Sequence, residues 1–135
     1  MLEGGTILNI NNLNLRIPLK FNCKTEDCIY VAQCKICSNA PSMDYKESTY
    51  FGQTVQEFHN RVSGHRSHFN DRTFEKSALS LHAWNFHKDC FNLSIYRLGV
   101  VKKVRAATLL DREESKYIDK FKTRSLGLNR YNVPG

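Results

Sequence analysis

The chain has 135 residues, and its 20 Lys and Arg against 13 Asp and Glu give a formal net charge of +7. This length suits one domain with a modest core, and a hydrophobic fraction of 41% argues against disorder. Apolar runs fall short of the roughly 20 residues that a membrane-spanning helix needs, so we expect no membrane partner. The surplus of positive charge favours an anionic partner, nucleic acid first.

The first half of the chain predicts two strands joined by a loop. Residues 1–20 alternate asparagines with apolar residues and are interpreted as an adaptor, either a peripheral strand or the end of a linker, without chemistry of its own. Residues 28–34 carry β-branched and aromatic side chains, which predicts a strand. The polar stretch 38–48 predicts a loop, and a short second strand at 49–51 stops at Gly52. A polar connection between two strands indicates an antiparallel pair.

A helix is predicted next, over residues 53–68, with Thr54 as N-cap and Glu57 completing a capping box. Spacing of i, i+3, i+4 and i+7 places four of its residues on one face, namely Phe58, Arg61, Val62 and His65. A cation and an imidazole beside two apolar residues point to a functional site. The same pattern also suits a long side chain lying along the edge of a core.

The second half of the chain predicts three further elements. Ser77 is expected to cap a helix over residues 78–86, and residues 91–96 alternate like a strand. A last helix covers about residues 106–122 and is followed by Gly127, which suits a helix stop. The order β-β-α-α-β-α predicts an α+β domain, with a small, mostly antiparallel three-stranded sheet flanked by helices.

The last helix carries a carboxylate on its apolar stripe. The stripe, spaced i, i+4, i+7, i+8 and i+11, contains Leu110, Glu114, Tyr117, Ile118 and Phe121. A carboxylate among core-facing residues needs a cation, a metal or a hydrogen-bond donor. An ordinary salt bridge would satisfy it, but the comparable placement of Arg61 and His65 favours a shared functional site. The neighbouring Glu113 points elsewhere.

Two pairs of residues have the spacing of a zinc site. Cys34 and Cys37 form a Cys-x2-Cys knuckle, and His82 and His87 fit the second half of a Cys₂His₂ site. Positions five apart on an unbroken helix diverge by about 140°, so the helix must end near His87 for both rings to reach one ion. Four protein ligands would close the coordination shell, which favours a structural zinc over a catalytic one as in a deaminase.

The remaining three of the five cysteines leave an alternative open. Cys23 and Cys28 have the spacing to replace the histidines in a Cys₄ site. The strand between Cys28 and Cys34 spans about 20 Å, however, which weighs against that arrangement. Cys90 is expected to be a free, partly buried thiol.

Several motifs, in order, resemble the GIY-YIG endonuclease family. The motifs are Cys28-Ile29-Tyr30 and Tyr50-Phe51-Gly52 for the two half-signatures, then Arg61, His65, Glu114 before Tyr117-Ile118, and Gly127-Leu128-Asn129. The resemblance covers about residues 21–132 as one domain. Cys28 in place of Gly and Phe51 in place of Ile depart from the signature but spare the tyrosines, and the 38–48 insert is long for the family.

The zinc-type pairs sharpen this resemblance. Cys34-x2-Cys37 between the tyrosine motifs, with His82-x4-His87 later, is similar to the endonuclease domain of Penelope-like retroelements. The resemblance implies a divalent-metal-dependent enzyme that nicks DNA by phosphodiester hydrolysis to prime reverse transcription. It also implies a nuclear location and, as partners, an upstream reverse transcriptase of the same polyprotein and its RNA.

The resemblance further implies a role for each site residue. Glu114 would hold a catalytic Mg²⁺ or Mn²⁺, and Arg61 would contact the scissile phosphate. Tyr30 would activate water, with Tyr50 facing the same side and His65 orienting Tyr30 or relaying its proton. Asn129 would brace the site by hydrogen bonds. A structural Zn²⁺ would take its four ligands from the set Cys34, Cys37, His82 and His87.

A different class of function fits part of the same pattern. A non-catalytic, zinc-stabilised nucleic-acid-binding module would use the net charge, including Arg66, Lys102, Lys103 and Arg105, equally well. Binding has no need for two tyrosines, an arginine and an isolated carboxylate as a set. The enzyme is therefore the first expectation and the binding module the alternative.

Overall fold

A computed structural model of the chain describes residues 1–38, 48–71 and 74–130. Its strands are β1 (Ile7–Ile10), β2 (Leu13–Arg16), β3 (Cys28–Cys34), β4 (Thr49–Thr54) and β5 (Tyr96–Lys103). Its α-helices are α1 (Lys35–Ser38), α2 (Phe58–Asn70), α3 (Ala78–Phe86), α4 (Leu110–Phe121) and α5 (Thr123–Leu126). Most of the predicted 38–48 loop lies outside the described residues. Among the helices described, none is long and apolar enough to cross a bilayer.

The central sheet has the order β4-β3-β5, and both pairs are antiparallel. All seven residues of β3 are buried, because the strand is the middle one and both faces of the sheet are covered. The prediction of an α+β fold with a small antiparallel three-stranded sheet is confirmed.

Alternation along β3 divides the interior into two cores. Tyr30 and Ala32 face one side, where they join a core that includes Phe58 of α2 and Leu79 of α3. Ile29 faces the other side, in a core completed by the β1–β2 hairpin and α4. The site residues on β3 and β4 are thus held between two layers of packed side chains.

Residues 1–20 form a hairpin that packs on the sheet. Strands β1 and β2 pair antiparallel, and Leu8, Ile10 and Ile17 are buried in the second core. The Leu2 backbone N–H donates to the Leu98 carbonyl oxygen at 2.7 Å. This segment therefore contributes to the core, and the boundary near residue 21 stays a prediction.

The region around Gly52 differs from the prediction. Strand β4 does not stop at Gly52 but continues to Thr54, because Gly52 pairs in register with Tyr30. Helix α2 begins only at Phe58, with Glu57 in the N-cap position and no side-chain cap. The predicted capping box at Thr54 is wrong, since the Thr54 hydroxyl instead accepts a hydrogen bond from the Gln56 N–H at 3.1 Å.

The third strand also lies elsewhere. Residues 91–96 were predicted as the strand, but Leu93–Ile95 is a 3₁₀ turn and β5 begins at Tyr96. Leu93 and Ile95 are both buried, so the apolar alternation reflects a turn that packs on the core. The two later elements match the prediction better. Helix α3 has the predicted bounds, and α4 lies within residues 106–122.

Candidate active site and metal cluster

Tyr30 lies at the centre of a buried hydrogen-bond network. Its hydroxyl is 2.7 Å from His65 Nε2, and the Arg61 Nε–H donates to the same oxygen at 3.3 Å. Arg61 and His65 are one helical turn apart on α2, and Phe58 of the same helix packs 5.4 Å from the Tyr30 ring. The face of α2 predicted from the sequence is the face that meets β3.

Tyr50 lies beside Tyr30 on the adjacent strand. The two ring centroids are 6.3 Å apart, and the Tyr50 side chain is also hydrogen-bonded to Tyr30. Burial raises the pKa of Tyr30 to about 12, while the Arg61 charge lowers it. Burial likewise raises the pKa of Tyr50 well above its ordinary value. Both phenols are therefore protonated at neutral pH in the free protein.

Gly52 makes room for the Tyr30 ring. A Cβ atom at Gly52 would lie 2.4 Å from both Cζ and the hydroxyl oxygen of Tyr30. The phenol therefore crosses directly over the backbone of β4, and only glycine allows this close approach. The second half-signature, in which Tyr50 and Gly52 are two residues apart, places one phenol beside Tyr30 and leaves space for the Tyr30 ring.

Glu114 approaches the tyrosines from α4. Burial, and then the nearby Asp111 charge, raise the pKa of its carboxyl to about 7, against lowering by a Gln53 hydrogen bond and by the Arg124 and Arg61 charges. Its charge in turn raises the pKa of both tyrosines, as a smaller contribution than burial. The carboxyl of Glu114, the guanidinium of Arg61 and the two phenols thus lie within electrostatic reach of one another.

Asn129 acts on the backbone of β4. Its Oδ1 accepts from the Phe51 N–H at 2.8 Å, and its Nδ2 donates to the Phe51 carbonyl at 2.8 Å. The Thr123 hydroxyl also donates to Oδ1 at 2.7 Å. Asn129 therefore pairs with the outer edge of β4 much as another strand would, and it braces the segment that carries Tyr50 and Gly52.

A second cluster forms where β3 ends. The ligand atoms of Cys34, Cys37, His82 and His87 all lie within 4.8 Å of one another. Cys34 Sγ is 3.5 Å from His87 Nε2, and Cys37 Sγ is 3.5 Å from His82 Nε2 and 3.3 Å from His87 Nε2. A tetrahedral zinc with ordinary bond lengths holds sulfur and nitrogen about 3.5 Å apart.

The local backbone explains how the four residues meet. Cys34 ends β3 and Cys37 follows within the short helix α1. Helix α3 ends at Phe86, and His87 has a non-helical backbone, with φ −138° and ψ 45°. The expected break before His87 is confirmed, and it turns the second ring back towards the first. The cluster can hold a structural metal such as zinc.

The thiols of Cys34 and Cys37 share a hydrogen bond. This bond lowers the pKa of the Cys34 thiol and raises that of the Cys37 thiol. Metal ligands must be deprotonated, so the lowered pKa of Cys34 favours metal binding.

The other cysteines lie outside this cluster. Cys28 is buried at the opposite end of β3 and Cys23 is exposed, so the Cys₄ alternative is wrong. Cys90, predicted to be partly buried, is exposed on a 3₁₀ turn. The length of β3 keeps Cys28 out of the cluster, because it separates the Cys28 thiol from the Cys34 thiol.

Two residues near the tyrosines were not singled out from the sequence as part of the site. The Gln53 side-chain amide donates to Asp111 Oδ1 at 2.5 Å, and hydrogen bonding by Gln53 lowers the pKa of the Glu114 carboxyl. The Ser77 hydroxyl, identified beforehand only as a helix cap, lies 3.3 Å from His65 Nδ1. The local sequence pattern identifies Ser77 as a cap, but its contact with His65 depends on how α3 packs against α2.

Comparison with protein-family models, with curated proteins and with solved structures finds no match for this chain.

Proposed function

We propose that this chain is a divalent-metal-dependent DNA endonuclease domain of the GIY-YIG type. The observation that carries the proposal is the Tyr30 hydroxyl, which contacts both His65 Nε2 and Arg61 Nε. A buried phenol held between a proton acceptor and a fixed cation, with a carboxyl nearby, is suited to phosphodiester hydrolysis. The order of these residues along the chain is also that of the GIY-YIG signature.

Each side chain has a part in the proposed reaction. Tyr30 takes a proton from the attacking water while its own proton passes to His65 Nε2. The water oxygen bonds to phosphorus, the P–O3′ bond breaks, and the leaving oxygen takes a proton from solvent. The products carry a 5′-phosphate and a 3′-hydroxyl. Arg61 balances the charge that develops on the phosphate oxygens.

Glu114 is the residue that would hold Mg²⁺ or Mn²⁺. A carboxyl whose pKa burial has raised to about 7 is poorly compensated by its surroundings and gains from a cation. Bound there, the ion would supply positive charge beside the scissile phosphate and the phenol. The cluster of Cys34, Cys37, His82 and His87 would hold the structural Zn²⁺.

The cellular role follows the resemblance to Penelope-like retroelements. A nick with a 3′-hydroxyl end is the primer that a reverse transcriptase extends. In this proposal the domain works in the nucleus, beside a reverse transcriptase of the same polyprotein and its RNA.

Two adjoining basic grooves support the choice of DNA. One, of about 390 Å³, is lined on β5, on α4 and on the segment between them by Lys102, Lys103, Arg105, Arg112 and Lys116, with Glu113 as the single acid. The other, of about 490 Å³, shares Lys103 and adds Lys20 and Lys24. Cations clustered on one surface in this way are suited to the phosphates of a nucleic-acid backbone.

Replacing Lys103 and Arg105 together by glutamine is expected to weaken DNA binding. The binding that remains should depend less on the salt concentration. The slope of log affinity against log salt should fall by roughly two, at about 0.9 per lost phosphate contact. Fluorescence anisotropy with a labelled duplex, in buffer without added Mg²⁺ or Mn²⁺, measures this without cleavage and without removing the structural metal. Lys88→Gln, which removes a cation beside Trp84, is the matched control. An unchanged slope for Lys103→Gln with Arg105→Gln would place the DNA on another surface.

Supercoiled plasmid tests the activity itself. With Mg²⁺ or Mn²⁺ the protein is expected to convert plasmid to open circles whose ends a polymerase extends, and leaving out both ions should stop the reaction. A non-catalytic binding module would bind the plasmid with salt-sensitive affinity but give no product with any divalent ion. That second outcome would refute the endonuclease.

A further inference from the structure

Ser77 joins the end of one helix to the network around Tyr30. Its hydroxyl oxygen accepts the Leu79 N–H at 3.1 Å, as the N-cap of α3. The same oxygen lies 3.3 Å from His65 Nδ1. Ser77 and His65 are both fully buried. An N-cap needs only the contact with the Leu79 N–H, so the contact with His65 requires another explanation.

The hydrogens around Tyr30 can be assigned by counting donors and lone pairs. Arg61 Nε–H can only donate, and it is directed at the Tyr30 oxygen. The Tyr30 hydroxyl is fully buried, so its own hydrogen needs an acceptor. The Tyr30 hydrogen is then directed at His65 Nε2, 2.7 Å away.

This assignment determines where the imidazole keeps its own proton. Burial, and then the Arg61 charge, lower the pKa of His65 to about 3, so the ring is neutral at physiological pH. A neutral ring that accepts at Nε2 carries its hydrogen on Nδ1. The Nδ1–H is then directed at the nearby Ser77 oxygen.

We propose that Ser77 is a positioning residue that fixes the tautomer of His65. Its hydroxyl accepts the Nδ1–H bond, which leaves the Nε2 lone pair aimed at the Tyr30 hydroxyl. When the Tyr30 proton passes to Nε2, the resulting imidazolium keeps its Nδ1–H bond to the same oxygen. The effect on cleavage rests on the proposed function, whereas the tautomer itself does not.

The experiment reads the tautomer and the reaction separately. Nitrogen-15 NMR of histidine-labelled protein should show His65 of the wild type mainly as the Nδ1–H form. In Ser77→Gly, a change that a helix N-cap tolerates well, the Nε2–H form should rise. The kcat for nicking should fall about tenfold, a part of what acid–base catalysis supplies, with the KM for DNA unchanged. Ser77→Thr, which keeps a hydroxyl, should restore both readouts.

Asn92→Gly is the matched control, because Asn92 also caps a turn with its side chain, by accepting the Ser94 N–H at 2.8 Å. It should leave the tautomer and the kcat as in the wild type. An Nε2–H form in the wild type, or the same tautomer in Ser77→Gly, would overturn the role of Ser77. If the tautomer shifts as expected but no variant, the wild type included, nicks DNA, the endonuclease fails and the positioning contact stands.

Discussion

Replacing Glu114 by glutamine is expected to lower the rate of nicking on the order of a thousandfold. The side chain keeps its size, but it loses the charge that would hold the divalent ion, and that ion's stabilisation of the transition state is worth several kcal/mol. The carboxyl is partly buried beside Arg61 and the two tyrosines. We therefore expect this single substitution to be enough to produce the loss of nicking. Single-turnover nicking of a labelled plasmid measures the loss.

Glu113→Gln is the matched control for this substitution. Glu113 is the neighbouring acid on α4, and its carboxylate pairs with Lys102 at 2.9 Å and Lys116 at 3.0 Å. The charge of Glu113 is already balanced by these two lysines, so the kcat at saturating DNA should stay within about twofold of the wild type, since surface pairs of this kind are worth little. Equal nicking by Glu114→Gln and the wild type would remove Glu114 from the site.

Glu114→Gln is also expected to change how stability depends on pH, which can be measured without DNA. The pKa of Glu114 is about 7 in the folded protein against 4.5 for the ordinary side chain. Between these values the folded state holds the proton more tightly, so wild-type stability falls as pH rises through this window. Glutamine lacks this loss, and Glu114→Gln should be more stable by about 1–2 kcal/mol near pH 8, after discounting for partial exposure. At pH 4 the difference should vanish.

Thermal unfolding of both proteins between pH 4 and pH 8 measures this difference in stability. Mg²⁺ added at pH 8 should raise the Tm of the wild type and leave that of Glu114→Gln unchanged, because a ligand stabilises only the protein that binds it. A difference between the two proteins that does not depend on pH would contradict the burial of the Glu114 carboxyl.

Removing the structural metal is expected to have the largest effect on folding. A Cys₂His₂ zinc contributes about 10–16 kcal/mol in small domains, while whole domains are stable by about 5–15 kcal/mol. The cluster connects the end of β3 to the end of α3, and His82 is fully buried. A zinc chelator, or the change His82→Ala, should therefore lower stability by about 5 kcal/mol or more.

Mass spectrometry under native conditions, paired with thermal unfolding, measures this. The purified wild type should carry one zinc per chain, and His82→Ala should carry none. Cys90→Ser is the matched control, since Cys90 is exposed and outside the cluster. It should keep the zinc and the wild-type Tm. A metal-free wild type with an unchanged Tm would show that the four ligands hold no structural ion.

The sequence allowed the prediction of elements whose pattern is local. Strand β3 is a short run of β-formers, and α3 has a serine cap and a periodic apolar face, so both were predicted with their observed bounds. Strand β5 was misplaced because it contains Gly99, which usually weakens a strand pattern. A Cβ there would lie 3.1 Å from Leu2. The glycine thus leaves room for a close contact with the N-terminal segment, which lies far away in sequence.

The site shows the same division between local and long-range information. Helical spacing predicted that Arg61 and His65 share a face, and Tyr30 meets that face through their hydrogen bonds. The contact of Ser77 with His65 depends on how α2 and α3 pack, and the length of β4 depends on its register with β3. These facts come from tertiary structure, and single-sequence patterns do not carry them.

The central claim is that Glu114 holds a divalent ion beside Tyr30 and Arg61. Anomalous diffraction from crystals soaked in Mn²⁺, at a concentration that supports nicking, tests it most directly. The account predicts a manganese peak bonded to the Glu114 carboxylate, on the side that faces the two tyrosines. Manganese bound only at surface acids such as Glu113 or Asp119, with none at Glu114, would contradict it.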